Sequence, residues 1–597
     1  MASTQTEVRH HVGMGSILHE HGVAFRVWAP NASAVSVIGN FNDWSTEANP
    51  MESEVGGYWY ADVPNAEVGN EYRYLIVNGE QQLSRVDPYA RQVTNSIGNG
   101  VIHDPDFDWD GDAYTLPPWN ELVIYELHIG TFNDEPGGKP GTFQDAIARL
   151  PHLKRLGVNA VQVMPIAEFA GDFSWGYNPA HLFAVESSYG GPNGFKQFVR
   201  AAHQHGIGVI LDVVYNHFGP SDLNLWQFDG WSENGLGGIY FYNDWRSETP
   251  WGNTRPDYGR GEVRQYIRDN ALMWLEEYHV DGLRMDMTLY MRNVYPGLDL
   301  PEGWSLAQWL NLEISARYPG RITIAEDLQH NEWLTKAVEW GGAGYGAQWD
   351  SNFVHPIRAA VIAADDRYRS MFAVRDALCY SYNGDPFQRV VYSESHDEVA
   401  NGKARVPSEI DPTDPHDYYA QKRSSLAAGL VCTAPGIPML FEGQEFLEGG
   451  WFRDDVPIDW HLNEEFQGIV RLYRDLIGLR LNRGGDSRGL CGRNINVYHL
   501  NDPQDLLAFH RWDKGGPGDD VIVLVNLSAE AKDGYTVGFP REGRWQLRLN
   551  SAWRGYSTAF SDHPSSDTEA FPGWYDGLPY HALVSIAPYS ILIYCQV

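Results

Sequence analysis

Four apolar, strand-like runs of the chain stop at residues that could do chemistry together. DVVYNH carries Asp212, Asn216 and His217, and DGLRMDM carries Arg284 and Asp286. IAED carries Glu326 and Asp327, and ESHDE carries Glu394, His396, Asp397 and Glu398. One carboxylate at a strand end is ordinarily a helix cap or an ion-pair partner. Carboxylates at four such ends are a different matter, because a pair of them is what double displacement at a glycosidic carbon requires: one as nucleophile, one as acid and then base. Asp286 and Glu326 fit that pair. Arg284 lies two residues from Asp286, on the same strand face, where a guanidinium keeps a carboxylate ionised. Glu326 follows Ile324 and Ala325, an apolar setting that raises a carboxyl pKa toward the range of a general acid. His396 and Asp397 could hold sugar hydroxyls more strongly in the distorted transition state.

The elements that must position these residues are eight apolar runs: Leu122–Ile129, Ala160–Ile166, Gly208–Tyr215, Val280–Met287, Ile322–Ala325, Ala347–Phe353, Arg389–Ser393 and Ile437–Phe441. Amphipathic stretches separate them. In EVRQYIRDNALMWLEEY, for example, Val263, Ile267, Ala271, Trp274 and Tyr278 share one helical face. Eight βα units predict a (β/α)₈ TIM barrel over residues 121–484, with its active site at the C-terminal strand ends. No G-x-G-x-x-G follows a strand, which argues against a doubly wound sheet. Residues 1–103 and 485–597 read as all-β sandwich domains, from short β-rich segments punctuated by Gly, Asn and Pro. Residues 104–120, acidic and Pro-rich, read as a linker. Asp106, Asp108, Asp110 and Gly111 imitate an EF-hand start there, but Pro117 stands where the loop needs its bidentate Glu.

Composition bounds the partners. The 597 residues include 44 Lys and Arg against 78 Asp and Glu, a net charge of −34. Such a field repels phosphate backbones and anionic bilayers, so neither nucleic acid nor membrane is an expected partner. No apolar run approaches a membrane span, and the opening MASTQTEVRHHVGMG lacks the apolar core of a secretory signal. Cys379, Cys432, Cys491 and Cys595 form no CxxC pair and suit a reducing compartment, so a cytoplasmic setting is expected. The 22 Trp, 33 Tyr and 24 Phe can fill cores or stack on sugars.

DVVYNH, GLRMD, IAED and SHDE, in that order, closely resemble the four sequence regions of glycoside hydrolase family 13, the α-amylase family. Residues 27–44, VWAPNASAVSVIGNFNDW, resemble a family 48 carbohydrate-binding module, with Trp28 and Trp44 as possible stacking platforms. The resemblance implies Asp286 as nucleophile, Glu326 as acid/base and Asp397 as transition-state stabiliser, with Asp212, His217, Arg284 and His396 on the sugar at the cleavage point. GDFSWGYNP matches the loop after the family's second strand and implies Tyr177 as a stacking residue, with Trp175 as a further candidate. Asn216 matches a calcium ligand of many amylases; the remaining ligands have no counterpart, so neither a metal nor a cofactor is expected. SHDEVANGK and EGQEFLEGGWFRDDVPIDWHL resemble glycogen branching enzymes, whereas DVVYNHFGPSD resembles the hydrolases that release trehalose from maltooligosyltrehalose. GLRMDMTLY departs from both just after Asp286 and lacks the Lys-His pair of many amylases.

An α-glucan or malto-oligosaccharide substrate is therefore expected, with 1,4-α-glucan branching as the preferred activity and trehalose release or other α-1,4-glucan hydrolysis as the alternative. A non-catalytic glucan-binding protein would have lost one of Asp286, Glu326 and Asp397, and all three are present. Acceptor choice is expected to rest on the insertion at 218–260. Its eight aromatics, Trp226, Phe228, Trp231, Tyr240, Phe241, Tyr242, Trp245 and Trp251, are offered either to sugars or to one another.

Overall fold

A computed structural model describes residues 10–596 of the chain. The first nine residues, and with them most of the opening stretch discussed above, lie outside it. Eight parallel strands close into a barrel: β1 Ile124–Leu127, β2 Ala160–Val163, β3 Gly208–Val213, β4 Gly282–Met285, β5 Ile322–Ala325, β6 Ala347–Trp349, β7 Arg389–Val391 and β8 Ile437–Phe441, with β8 pairing back onto β1. Side-chain alternation divides every strand between two cores. Ile124, Ala160, Ile210, Ile324, Ala347, Val390 and Met439 fill the barrel interior. Val123, Tyr125, Val161, Leu211, Leu283 and Leu440 face outward into the core shared with the helices. β4 and β5 approach so closely at Gly282 that a Cβ there would lie 2.5 Å from Ile322 Cγ1 and 2.8 Å from its carbonyl oxygen.

Two stretches fold differently from their sequence pattern. The sixth run, Ala347–Phe353, reads as one strand, yet β6 ends at Trp349. Asp350 then accepts the N–H of Asn352 and caps the helix Ser351–Ile362, so side-chain capping overrides the apolar continuation. Residues 104–120 are a strap packed on the barrel rather than a free linker. Two side chains of the helix α1, Gly191–Gln204, hold its backbone: Lys196 donates to the Pro105 carbonyl and Arg200 to that of Asp108. His203 bonds Asp112, and Trp109 stacks on His279 with centroids 3.8 Å apart.

Residues 15–101 form two antiparallel sheets. One contains Gly15–His19, Gly22–Trp28, Glu52–Glu54 and Tyr58–Val63; the other is built on Ala34–Gly39 and Glu71–Asn78. Beyond the barrel, eight strands between Asn494 and Cys595 make a single antiparallel sheet folded over one core of Leu506, Ile522, Leu524, Phe539, Trp545 and Val584. Three of these strands, Lys532–Phe539, Thr568–Tyr575 and Leu578–Ile586, are missing from the sequence reading: Gly and charged residues interrupt the first two, and Pro579 and His581 break the apolar pattern of the third.

The insertion at 218–260 lies between β3 and the helix α2, Gly261–Glu276, and docks the N-terminal sheets. Asp229, fully buried, accepts from the backbone and side-chain nitrogens of Asn31 (2.9 Å each) and from the Trp231 N–H. Arg85 donates to the carbonyls of Phe228 and Gln227. Phe228, Tyr240, Phe241 and Tyr242 are buried, and Trp28 packs edge-on against Tyr240. The insertion is thus mostly a self-packed interface, with only Trp245 and Trp251 exposed, and Trp28 is a bracing residue while Trp44 stays accessible. Asp229→Ala should strand three N–H donors at this interface, at about 1–3 kcal/mol for each left unpaired. The expected result is a lowered melting temperature and faster proteolytic release of residues 1–103.

Candidate active site

β3, β4 and β5 deliver the centre. Asp212 and Arg284 are register partners on neighbouring strands, and Arg284 pairs in turn with Ile324. Asp286 and Glu326 stand two residues further along, on the same inward face. The Arg284 guanidinium is fully buried and gathers all three carboxylates. Nη1 donates to both Asp212 oxygens (2.6 and 2.8 Å) and to Asp286 Oδ1 (3.1 Å), while Nη2 lies 2.7 Å from Glu326 Oε2. The guanidinium stacks over Trp349 of β6, 4.3 Å from the ring centroid, and lies 5.7 Å from that of Tyr177. Asp286 and Glu326 therefore sit a guanidinium's width apart.

The other oxygens are also held. Asn216 donates through Nδ2 to the Asp286 carbonyl and to Asp286 Oδ2 (2.9 and 2.7 Å), and its Oδ1 meets His217 Nδ1 at 2.6 Å. Both ends of that amide are in use, so Asn216 is not free to ligate calcium, and the residues present do not fit that ion. Met287, immediately after Asp286, takes a left-handed backbone (φ 35°) and points its N–H at Glu326 Oε2, 3.0 Å away. Strain of this kind costs about 1–3 kcal/mol and persists where surrounding structure imposes it.

Burial and neighbouring charge set the protonation states. Burial raises Asp286, with Arg284 and the Asn216 amide opposing it, so Arg284 does not hold this carboxyl at an ordinary value as its position in the sequence suggests. Glu326 is pushed up to about 7, first by burial and then by Asp286 and Asp397, against Arg284. Asp212 is raised to about 6 by burial, despite its two bonds to Arg284. His217 is lowered to about 4 by burial. His396 moves the other way, to about 8, because Glu126 outweighs its burial.

Each residue picked out in the sequence can now be placed. Asp212, Arg284, Asp286 and Glu326 are in direct contact. Tyr177 joins them by donating to Asp212 Oδ2 at 2.6 Å, and its ring stacks on His396 at 5.0 Å. Asp397 is half-buried, its Oδ1 bonded by Asn401 at 2.8 Å. His217 is linked to Asp286 through Asn216 and stacks on Trp251 at 4.5 Å. Trp175 stands back, packed on Phe452 and edge-on to His396. Asp327, Glu394 and Glu398 point elsewhere: Arg292 takes Asp327, Val406 N–H and Arg405 take Glu394, and His355 and Lys403 take Glu398.

Sequence reading missed two residues. Glu126, buried at the end of β1, accepts both the backbone N–H and Nδ1 of His396 (3.0 and 2.7 Å). Trp349 floors the guanidinium. The signal for Glu126 was available, since it is one more carboxylate inside an apolar strand run.

Family models match three parts of the chain: carbohydrate-binding module 48 (isoamylase N-terminal domain) at residues 13–90, the α-amylase catalytic domain at 126–227 and the α-amylase C-terminal all-β domain at 498–596. The chain is 34% identical to a 1,4-α-glucan branching enzyme of Pseudoalteromonas atlantica, over 89% of this chain and 76% of that one. It is 30% identical to a branching enzyme of Oceanobacillus iheyensis, over 96% and 93%. The chain belongs to the α-amylase family, glycoside hydrolase family 13. Its fold matches that of a putative α-amylase from Salmonella typhimurium (TM-score 0.73, 23% identity, 98% of this chain and 99% of that one). It also matches type I pullulanase from Bacillus subtilis (TM-score 0.76, 23% identity, 99% and 86%).

For this family member Glu326 carries a stability signature. Below its ordinary value of 4.5 it is neutral both folded and unfolded and contributes nothing. As pH rises from there through about 7, the unfolded chain ionises freely while the buried group resists, so folding stability is lost. Glu326→Gln should therefore melt higher than the parent at pH 8 and at the same temperature at pH 4, by calorimetry.

Proposed function

We propose that the chain is a 1,4-α-glucan branching enzyme working by double displacement at Asp286. The observation that carries the reading is one buried guanidinium holding Asp286 and Glu326 side by side, in a chain 30–34% identical to branching enzymes over most of its length. An Asp286 oxygen attacks the anomeric carbon of the donor glucan, and protonated Glu326 gives its proton to the departing 4-oxygen. The 6-hydroxyl of an acceptor glucan then attacks the glycosyl–Asp286 ester. Glu326 takes that hydroxyl's proton, and Asp286 leaves as the carboxylate. Asp397 and His396 bind sugar hydroxyls, and Tyr177 presents its ring to the sugar at the cleavage point.

Branching needs room for a second glucan. Exposed aromatics on the loops after β3, β5 and β8 supply it: Trp245, Trp251, Trp333, Trp340 and Trp451. Of these, Trp251 stacks on His217, 4.5 Å between centroids, beside the centre. Acceptor binding is thus assigned to several rim loops and not chiefly to 218–260. A reducing, cytoplasmic setting accompanies the reading, since all four cysteines are free thiols, and no described helix is long and apolar enough to cross a membrane.

With amylose as the only glucan, iodine absorbance should fall while few new reducing ends appear. Reducing ends rising in step would make water the acceptor and the chain a hydrolase, and free trehalose from maltooligosyltrehalose would select the trehalose-releasing reading. Asp286→Ala should lose several orders of magnitude in turnover. Glu326 must be protonated to act as acid, so kcat/KM should fall as pH rises through about 7.

A further inference from the structure

We propose a zinc-type metal site on the outer face of the N-terminal module, formed by His11, His19 and Asp62. One donor atom from each of the three lies within 4.8 Å of the others. The sequence shows no CxxC pair and no full set of calcium ligands, so no metal is expected from it; the ligands proposed here come from three separate segments and meet only in the fold. His19 ends the strand Gly15–His19, Asp62 is on the strand Tyr58–Val63, and His11 lies on the segment leading into the first of these.

The donors are arranged by the backbone. Asp62 pairs with Ala24, and Ala24 pairs with Ile17, which puts Asp62 on the sheet face shared by Ile17 and His19. His11 is pinned from both sides: its N–H donates to the Tyr60 hydroxyl, and its carbonyl accepts from Arg26 Nη1 at 2.6 Å. Arg26 is itself fixed by Glu54 (2.7 Å) and lies over the Tyr60 ring. The His11 and His19 rings are parallel, 4.0 Å between centroids, and His19 Nε2 is 3.0 Å from Asp62 Oδ1. A tetrahedral zinc ion needs donors about 3.3 Å apart with both imidazole lone pairs aimed at it, so the stacked rings must turn toward a common point to close the site.

Two imidazoles and one carboxylate, with water in the fourth position, suit a borderline ion such as Zn²⁺ and not the oxygen-seeking Ca²⁺ or Mg²⁺. Binding at His19 Nε2 moves that ring's proton to Nδ1. The contact given up is the 3.3 Å approach of the His21 N–H in an exposed turn, which costs little. His10 is excluded from the ligand set, because it stacks on Tyr60 and is committed to Glu54 at 2.7 Å. The ion would tie the segment entering the module to two of its strands, more than 100 residues away from Asp212 and the catalytic centre.

The test is titration of the full chain, stripped with EDTA, with Zn²⁺ against a chromogenic zinc indicator. At pH 7.5 one ion should bind with an affinity in the micromolar range. Binding should weaken strongly by pH 5.5, because protons compete with the metal for imidazole nitrogens. His11→Ala, His19→Ala and Asp62→Ala should each weaken it by at least about tenfold, with melting temperatures in EDTA equal to the parent's, while His10→Gln keeps it. Ca²⁺ should not compete. An affinity no tighter than millimolar, or a one-to-one site that survives His11→Ala/His19→Ala, overturns the proposal.

Discussion

One buried guanidinium governs this molecule's centre. Removing Arg284 from water is affordable only because Asp212, Asp286 and Glu326 surround it, and three carboxylates beside one cation are one too many to be ionised together. The excess is taken up as a proton. Burial lifts all three carboxyls, and Glu326, with the charges of Asp286 and Asp397 beside it, rises to about 7. Asp286, the proposed nucleophile, has Asn216 and Arg284 in its favour. Division of labour between two similar side chains thus follows from hydrogen-bond inventory, since each sees the same arginine.

That arrangement depends on strand register. A parallel barrel places neighbouring residues at one height, so Asp212 must pair with Arg284 for the bidentate contact to form, and the next inward positions, Asp286 and Glu326, follow at the rim. A shift of a single residue would turn all of them into the outer core. Below the charged layer the inward positions are apolar, Ile124, Ala160 and Ile210 among them, and Ile324 stands level with Arg284 as its register partner. Around the rim, His396 is charged by Glu126 and carries Tyr177 on its ring, so the proposed sugar platform rests on a second buried ion pair at the end of β1.

Sequence made the repeating part legible. Eight apolar runs, each followed by an amphipathic stretch, define the barrel, and carboxylates at the run ends define the centre. Less visible were residues whose partners come from far along the chain. Glu126 is an isolated acid in an apolar run until His396, 270 residues later, is brought against it. Trp349 reads as core until Arg284 is seen above it. The insertion at 218–260 looks like a sugar-binding loop because its aromatics are dense. It is instead an interface whose burial depends on Asn31, Arg85 and Trp28 in another domain. Density of aromatics carries no information about what covers them.

Met287 shows how the site departs from what folding alone would choose. A non-glycine residue with positive φ, placed directly after Asp286, costs stability, and so does a carboxyl whose ionisation is resisted up to about pH 7. Both costs fall on one short path from Asp286 to Glu326, and the same backbone turn aims the Met287 N–H at Glu326 Oε2. That N–H bond limits how far burial can raise Glu326, which must give its proton up in the first step and regain one in the second. A group held far above neutrality would protonate the leaving oxygen poorly, and one far below would be ionised before substrate arrived. The strained turn therefore belongs to the proposed chemistry: it places a fixed dipole where Glu326 needs it.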